Sequence, residues 1–218
     1  MSNRLIIFLK ALVHLACLAP IAWLVWHFWL ASTTVPDALG ADPIAAVTFF
    51  TGKGTLRLLV ISLAITPIRR LIPKLSWTIR FRRMLGLYAF FYACLHLLTY
   101  VWLYSSFSWA AMINDITRRR FITAGLTAWL LLVPLALTST TWSIRKLGGK
   151  RWQALHRLVY LAAIAGVVHY WWGVKSGVHT PFAITVVLAV LLLARPMLSY
   201  TARMSREKTQ AGKVPLSR

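Results

Sequence analysis

Acidic side chains are almost missing from this sequence of 218 residues, which has 4 Asp and Glu against 25 Lys and Arg and a formal net charge of +21. Charged residues make up only 13% of the chain and apolar residues 59%, whereas soluble domains are about 25% charged. So few charges cannot cover a surface that faces water. The composition excludes an ordinary soluble domain and predicts a protein whose solvent is lipid.

Cysteine is also scarce, because only Cys17 and Cys94 occur and each lies inside an apolar run. This excludes a disulfide framework and a cysteine-based zinc site, and the lack of Cys-x-x-Cys-His excludes covalent haem attachment. No Gly-x-Gly-x-x-Gly unit is present to bind a nicotinamide cofactor. We expect no cleavable signal peptide, since the first apolar run is too long and lacks an Ala-x-Ala-like exit.

The basic residues stand between apolar runs, as in loops that face anionic lipid. This distribution argues against nucleic-acid binding. Six stretches approach the length of about 20 residues that a spanning helix needs, so the sequence predicts an all-α polytopic membrane helix bundle. Its six transmembrane helices occupy residues 1–198, and a basic, disordered tail follows over residues 199–218. The stretches are Ala11–Leu30, Thr55–Ile68, Met84–Tyr104, Phe121–Leu137, Leu155–Trp172 and Phe182–Met197.

Loop charges predict the orientation. The loops after the second and fourth stretches and the tail are basic, which places them, and therefore both termini, in the cytoplasm by the positive-inside rule. The third loop opposes this count, because Arg118, Arg119 and Arg120 would lie outside. They could instead serve a partner or a cofactor carboxylate.

Histidines inside the apolar runs are the strongest functional signal, because ionisable groups in a membrane are costly and mark function. His96 lies on the third stretch, and His156 and His169 lie near the two ends of the fifth. Neutral imidazole ligates iron, and two axial histidines give an electron-carrying haem, here of the non-covalent b type. The alternative is hydrogen-bonded core histidines. For His14, on the first stretch, packing polarity and a cofactor contact are equally good interpretations.

Depth in the membrane predicts which histidines pair. At about 1.5 Å per residue, His96 lies roughly 20 Å, His169 roughly 27 Å and His156 roughly 8 Å from the cytoplasmic edge. This favours a haem between His96 and His169 toward the outer side. His156 then belongs to a separate inner site, either a second haem with incomplete histidine ligation or a quinone or flavin site. Small residues between the two histidines predict room for a flat cofactor: Ala162, Ala163, Ala165 and Gly166.

Several segments together resemble one known family over nearly the whole chain except the tail. They are Gly40-Ala-Asp-Pro43, Phe50-Thr-Gly52, Ile65-Thr-Pro67, Arg82-Arg-Met-Leu-Gly-Leu87, Leu95-His96-Leu97, Thr138-Ser-Thr140, Trp152-Gln-Ala-Leu-His156 and His169-Tyr-Trp171. These segments are similar to the MsrQ (YedZ) family, the haem-binding membrane subunits of the periplasmic methionine-sulfoxide reductase system. That family belongs to the ferric-reductase-like transmembrane superfamily.

The resemblance implies a multi-pass protein of the bacterial inner membrane that contains b haem and FMN. Electrons would come from the quinone pool and pass to a periplasmic molybdopterin enzyme (MsrP-like) that reduces methionine sulfoxide in proteins. His96, His156 and His169 match the functional histidines of the family. Larger relatives pair four histidines, so three leave the haem count open. Six cations could hold an FMN phosphate or haem propionates, or act only as topology residues: Arg82, Arg83, Arg145, Lys146, Lys150 and Arg151.

Two other functions compete with electron transfer to a partner. One is a stand-alone membrane ferric or quinone reductase, which would need its own donor site. The other is a cofactor-free transporter with a histidine proton relay, which needs acidic groups inside the spans. The four acidic residues all fall outside the apolar runs: Asp37, Asp42, Asp115 and Glu207. Electron transfer requires no catalytic base, so we predict no catalytic residue and leave open whether the chain is itself an enzyme.

Overall fold

The computed structural model describes residues 3–174 and 180–211, and every regular element within them is helical, as predicted. Short 3₁₀ or π turns at Pro36–Leu39, Pro73–Thr78 and Tyr100–Tyr104 join some of the helices. The α-helices are α1 (Asn3–Thr33), α2 (Pro43–Leu71), α3 (Ile79–Thr99), α4 (Trp109–Arg118), α5 (Arg120–Leu137), α6 (Thr141–Leu147), α7 (Gly149–Leu155), α8 (Leu158–Gly173) and α9 (Thr180–Ala211).

Five segments of the described chain are long and apolar enough to cross a membrane, which makes this a membrane protein. They are Asn3–Thr33, Asp37–Leu71, Pro73–Tyr104, Arg120–Leu137 and Pro181–Thr201. The fifth predicted stretch corresponds to α8, which has only 16 residues. A helix of that length spans about 24 Å, less than the roughly 30 Å of a hydrocarbon core. The sixth span and the orientation of the termini therefore stay predictions.

Helix α2 is much longer than the predicted stretch Thr55–Ile68. It begins at Pro43 because Asp42 caps it, with the carboxylate accepting a hydrogen bond of 2.9 Å from the Ala45 backbone N–H. Proline at the first helical position adds a fixed backbone angle and loses no hydrogen bond. Local capping thus extends the second predicted span to 29 residues.

The fifth predicted stretch is not one helix. Helix α7 ends at Leu155, a turn follows at His156 and Arg157, and α8 begins at Leu158. Near the turn the hydrogen bonds tighten to three-residue spacing, as from the Arg157 N–H to the Ala154 carbonyl. The prediction that His156 and His169 share a continuous helix is therefore wrong.

The C-terminal segment is helical further than predicted. Helix α9 continues to Ala211, beyond residue 199, where we predicted a disordered tail. Arg, Met, Glu, Lys and Gln in this segment are all good helix formers. The domain boundary at residue 198 stays a prediction. Residues 212–218, like His179 and Lys175 in the predicted fifth loop, lie outside the described residues.

Two closely packed helix pairs, α2 with α3 and α5 with α8, form the centre of the bundle. Their interface contains the most buried apolar side chains, among them Leu59, Leu63, Ala89, Ala162 and Ala163. Helix α9 packs on α2 and α8, whereas α1 contacts the bundle through a smaller cluster around Cys17 and Phe81. This arrangement allows the two central pairs to present side chains to each other.

Helix α4 was not predicted from the sequence. Ser108 caps its first turn by accepting from the Ala111 N–H, and one face carries the exposed Trp109 and Ile113. At its end Arg119 makes an ion pair of 3.0 Å with Asp115, the single one within the described ranges 3–174 and 180–211. An amphipathic helix of this kind is typical of the membrane–water interface.

Candidate functional site

The two central helix pairs bring His96 and His169 together. His96 comes from α3 and His169 from α8, and their ring centroids are 5.8 Å apart with the ring planes inclined by 74°. Both rings are partly buried. The pairing predicted from depth is therefore present as a contact between the two imidazoles.

Each imidazole is oriented by a backbone carbonyl of the neighbouring helix. His96 Nδ1 lies 3.0 Å from the Thr48 carbonyl oxygen, and His169 Nδ1 lies 2.6 Å from that of Phe121. A carbonyl only accepts, so Nδ1 carries the proton in both rings and Nε2 keeps its lone pair. Metal-ligating histidines characteristically donate their other ring N–H in this way.

Two glycines allow the rings to approach these carbonyls. A Cβ atom on Gly52 would lie 3.0 Å from His96 Cε1, and one on Gly125 would lie 2.7 Å from His169 Nδ1. Both distances are shorter than a normal contact. Alanine therefore cannot replace either glycine unless the imidazole moves.

The same local geometry occurs twice. In α2 the accepting carbonyl belongs to Thr48 and the glycine is Gly52; in α5 the carbonyl belongs to Phe121 and the glycine is Gly125. The carbonyl and the glycine are four residues apart in both helices, although the sequence shows no obvious repeat. Each histidine is therefore held by a helix other than its own.

The donor set fits an axially ligated metal centre. Two metal–imidazole bonds of roughly 2 Å each separate the coordinating nitrogens by about 4 Å, which is compatible with ring centroids 5.8 Å apart. Within residues 3–174 and 180–211 no group of three His, Cys, Asp or Glu gathers around one point. A metal at this place would need its equatorial ligands from a cofactor, as a porphyrin provides.

His156 contacts other residues than the His96–His169 pair does, and the prediction of an inner site there stays a prediction. Its Nε2 is 3.1 Å from Thr138 Oγ1, and its ring stacks on Trp152 with centroids 3.8 Å apart. The Trp152 indole N–H donates to the Thr138 carbonyl over 2.8 Å, which joins the end of α5 to α7. Burial, and secondarily the charge of Arg82, lower the pKa of His156 below its usual 6.5. A neutral imidazole with Arg82 nearby therefore marks this second place.

Of the six predicted cations, only Arg82 lies beside a candidate histidine. It is half-buried on α3 and its charge acts on His156. The other five side chains are exposed, and Lys146 lies over the Trp142 ring: Arg83, Arg145, Lys146, Lys150 and Arg151. These exposed positions fit loop cations that face water or lipid headgroups.

The small residues of α8 mostly serve helix packing. Ala162 and Ala163 are buried in the central core, and a Cβ on Gly166 would lie 3.1 Å from Leu56. For these residues the prediction of room for a flat cofactor is wrong, because they bring α8 close to its neighbours. Only Ala165 lines an open space, a mainly apolar groove of about 570 Å³ between α5 and α8 with Arg120 in its lining.

His14 has a structural contact. Its Nδ1 is 2.7 Å from the hydroxyl of Tyr88 on α3, and the two rings meet edge to face. This contact corresponds to the first interpretation of His14, a polar side chain that packs between helices. It ties α1 to the bundle.

Several residues of the site were not predicted. Thr48 and Phe121 contribute only backbone carbonyls, so their side chains gave no signal. Gly125 could have been found, since a glycine in a helix interior weakens the helix. Arg195, which lies apart from the histidine pair, could also have been singled out, because an arginine in a membrane span is costly. Arg195 donates to the Leu63 carbonyl and to the Tyr160 hydroxyl.

Comparisons with known proteins show which family the chain belongs to. Residues 51–167 match the family described as ferric reductase like transmembrane component. This range includes His96 and His156 and ends two residues before His169.

Curated relatives match over almost the whole chain, and each is described as a protein-methionine-sulfoxide reductase heme-binding subunit MsrQ. One from Xanthomonas campestris pv. campestris (strain 8004) is 48% identical over 202 residues, which cover 93% of this chain and 92% of the relative. One from Herminiimonas arsenicoxydans is 46% identical over 207 residues, with 94% and 91% covered.

Proposed function

This chain belongs to the MsrQ family of heme-binding subunits and to the ferric-reductase-like transmembrane components, and we propose that it is a transmembrane electron-transfer subunit carrying b-type haem. His96 and His169 would together hold one haem. The observation that carries the proposal is the pair of adjacent imidazoles with Nδ1 anchored and Nε2 free.

The residues of this chain would hold and insulate the haem. When bound, the haem iron accepts and releases one electron at a time. The Thr48 and Phe121 carbonyls fix the ring orientation and increase the basicity of the imidazoles. Gly52 and Gly125 keep the rings close to those carbonyls, and the apolar core between the helix pairs excludes water. These features would tune the reduction potential of a bound haem through ligation, hydrogen bonding and burial.

A second binding place at His156 would receive electrons on the inner side. The neutral imidazole and the neighbouring Arg82 suit a second haem, a quinone or a flavin such as FMN. The donor would be the quinone pool. The acceptor would be a periplasmic molybdopterin methionine-sulfoxide reductase (MsrP-like), on which the sulfoxide is reduced, so that this chain needs no acid–base residue.

The proposal includes a location. The chain would be a multi-pass protein of the bacterial inner membrane with both termini in the cytoplasm, because the basic segments around α6–α7 and the C-terminus favour that side. Residues 1–198 would form the haem-binding domain. The basic residues of 199–218 would lie near the anionic inner lipid surface.

Absorption spectroscopy of the purified protein tests the proposal. We expect a Soret band that shifts on reduction with dithionite and the split bands of bis-imidazole b haem. His96→Ala and His169→Ala should each abolish that signal. His27→Ala is the matched control, because His27 bonds only the Trp23 carbonyl of its own helix. Colourless protein from haem-replete cells would refute the proposal and favour the cofactor-free transporter.

A further inference from the structure

Three buried polar atoms lack a hydrogen-bond partner within residues 3–174 and 180–211: Thr66 Oγ1, Arg69 Nε and Arg195 Nε. Thr66 and Arg69 are three residues apart, so they share one face of α2. Arg195 of α9 reaches the same region, since it donates to the Leu63 carbonyl one turn earlier. Buried polar atoms are rarely unpaired in native proteins. Thr66 is also three residues from Leu63, so Thr66 and the carbonyl that Arg195 contacts share a face of α2, and Arg69 lies one turn further along. This placement points to one shared ligand.

The Arg195 guanidinium is held in a fixed position. Pro67 has no N–H, so the Leu63 carbonyl four residues earlier lacks its helical donor, and Arg195 Nη2 donates to it over 2.6 Å. Nη1 donates to the Tyr160 hydroxyl over 2.5 Å, and the guanidinium lies 4.8 Å from the Tyr160 ring centroid. A guanidinium has five N–H donors. These contacts leave three, including the buried Nε.

The region carries positive charge that no acidic side chain balances. Arg70 and Arg82 lie near enough for their charges to act on Arg195. The single ion pair in the described part of the chain is the one between Asp115 and Arg119, which joins other helices. Arg69 and Arg195 are half-buried, so their charges without a counter-charge are less favourable than in water. A negatively charged ligand that accepts hydrogen bonds would pair with the unsatisfied polar atoms and balance the positive charge.

We propose that Thr66, Arg69 and Arg195 bind a phosphate group at the end of α2, between α2 and α9. A phosphate offers several charged acceptor oxygens to a hydroxyl and two guanidinium groups. Two sources share this chemistry. One is an anionic phospholipid, whose headgroups bind in basic pockets between membrane helices, and the other is the phosphate of a flavin nucleotide. The site is independent of the proposed haem and differs from the six cations predicted from the sequence.

The test measures the Tm of the full chain in detergent. Inorganic phosphate should raise the Tm above that in chloride of equal ionic strength. Arg69→Gln and Thr66→Val should weaken the apparent phosphate affinity about tenfold or more, since each removes a hydrogen bond to a charged ligand. Lys74→Gln is the matched control, because it removes one positive charge just beyond the end of α2 from an exposed side chain. It should keep the affinity within about threefold, which is under 1 kcal/mol.

Whether Thr66→Val raises or lowers the Tm shows whether a ligand binds at this place. With no ligand, this change removes an unsatisfied buried hydroxyl and should raise the Tm. A higher Tm together with no phosphate-specific shift would overturn the proposal. So would a shift produced equally by succinate, or one that requires bound haem, because either result would assign the site to a carboxylate.

Two further measurements identify which molecule supplies the phosphate. Nanodiscs of phosphatidylglycerol are compared with phosphatidylcholine, and FMN is titrated into detergent samples. A Thr66-dependent shift with phosphatidylglycerol supports the lipid, and one with micromolar FMN supports the flavin; failure of both overturns the proposal. The Soret band is recorded on every sample. Protein without haem that still responds to phosphate would refute the proposed function and leave this site intact.

Discussion

Replacing Gly125 with alanine is the sharpest test of the histidine site. The new Cβ would lie 2.7 Å from His169 Nδ1 and 2.8 Å from Cε1, whereas ordinary contacts begin at 3.4 Å. The imidazole must therefore retreat by about 0.7 Å, more than the roughly 0.5 Å that a functional site tolerates. The retreat also lengthens the bond of 2.6 Å to the Phe121 carbonyl. We expect a displaced ring and a weakened haem site.

The structure also predicts the order of three glycine variants. Overpacking costs about 1–3 kcal/mol, so Gly125→Ala should reduce haem affinity roughly tenfold to hundredfold. Gly52→Ala should have a smaller effect, since its Cβ meets His96 atoms at 3.0–3.5 Å. Gly86→Ala is the control, because the nearest atom is 3.8 Å away. Alanine in that helix interior should be neutral or stabilising by up to about 1 kcal/mol.

The assay measures the haem-to-protein ratio of the purified variants over a series of haem concentrations. The bound haem is measured as the pyridine haemochrome. The Tm of each variant shows whether the fold persists. If Gly125→Ala binds haem as tightly as Gly86→Ala, the close approach of Gly125 to His169 does not position a ligand. The argument from the two glycines would then fail.

Three further perturbations test other parts of the structure. Tyr92→Phe removes the hydrogen bond of 2.9 Å to the Cys17 carbonyl and should lower the stability by about 0.6–1.7 kcal/mol, which a lower Tm would show. An unchanged Tm would mean that this hydrogen bond does not hold α1. The pKa of His156 is lowered by burial and by Arg82, so the unfolded chain binds a proton that the folded chain does not. The Tm of haem-free protein should therefore fall as the pH drops below about 6.5, less steeply in Arg82→Gln, and a parallel profile would contradict this cause. Green fluorescent protein fused at the C-terminus should fluoresce and fused alkaline phosphatase should be inactive; the reverse would place that terminus outside.

The level of the histidine pair could be predicted from the sequence because helical rise is fixed. Counting residues from the basic loops placed His96 and His169 near one depth, and their rings are in contact. The counting worked because α3 is helical and because most of the chain between Arg151 and His169 is helical as well. The glycine beside each ring was not predicted as part of the site, since that depends on which helices pack together.

Side-chain contacts that hydropathy does not reveal explain most of the differences from prediction. The helix break at His156 coincides with the contact between its ring and Thr138, which lies 18 positions earlier in the chain and cannot be read from the local sequence. Helix α2 begins earlier than predicted, at a cap that Asp42 provides, and it continues through the charged residues that interrupt the apolar run. The role of Arg195 depended on Pro67, 128 positions earlier in the chain but adjacent in the fold through Leu63.

The recurring pair of carbonyl and glycine follows from helix geometry. A helical carbonyl of residue i points toward the N–H of residue i+4, so a ring that donates to this oxygen must lie over residues i+3 and i+4. A side chain at i+4 would stand in that space, and glycine leaves it free. Thr48 with Gly52, and Phe121 with Gly125, satisfy this requirement. In each central pair one helix supplies the imidazole and the other supplies the carbonyl and the glycine. Each helix pair therefore orients its own histidine, and a haem between the rings would join two preorganised halves.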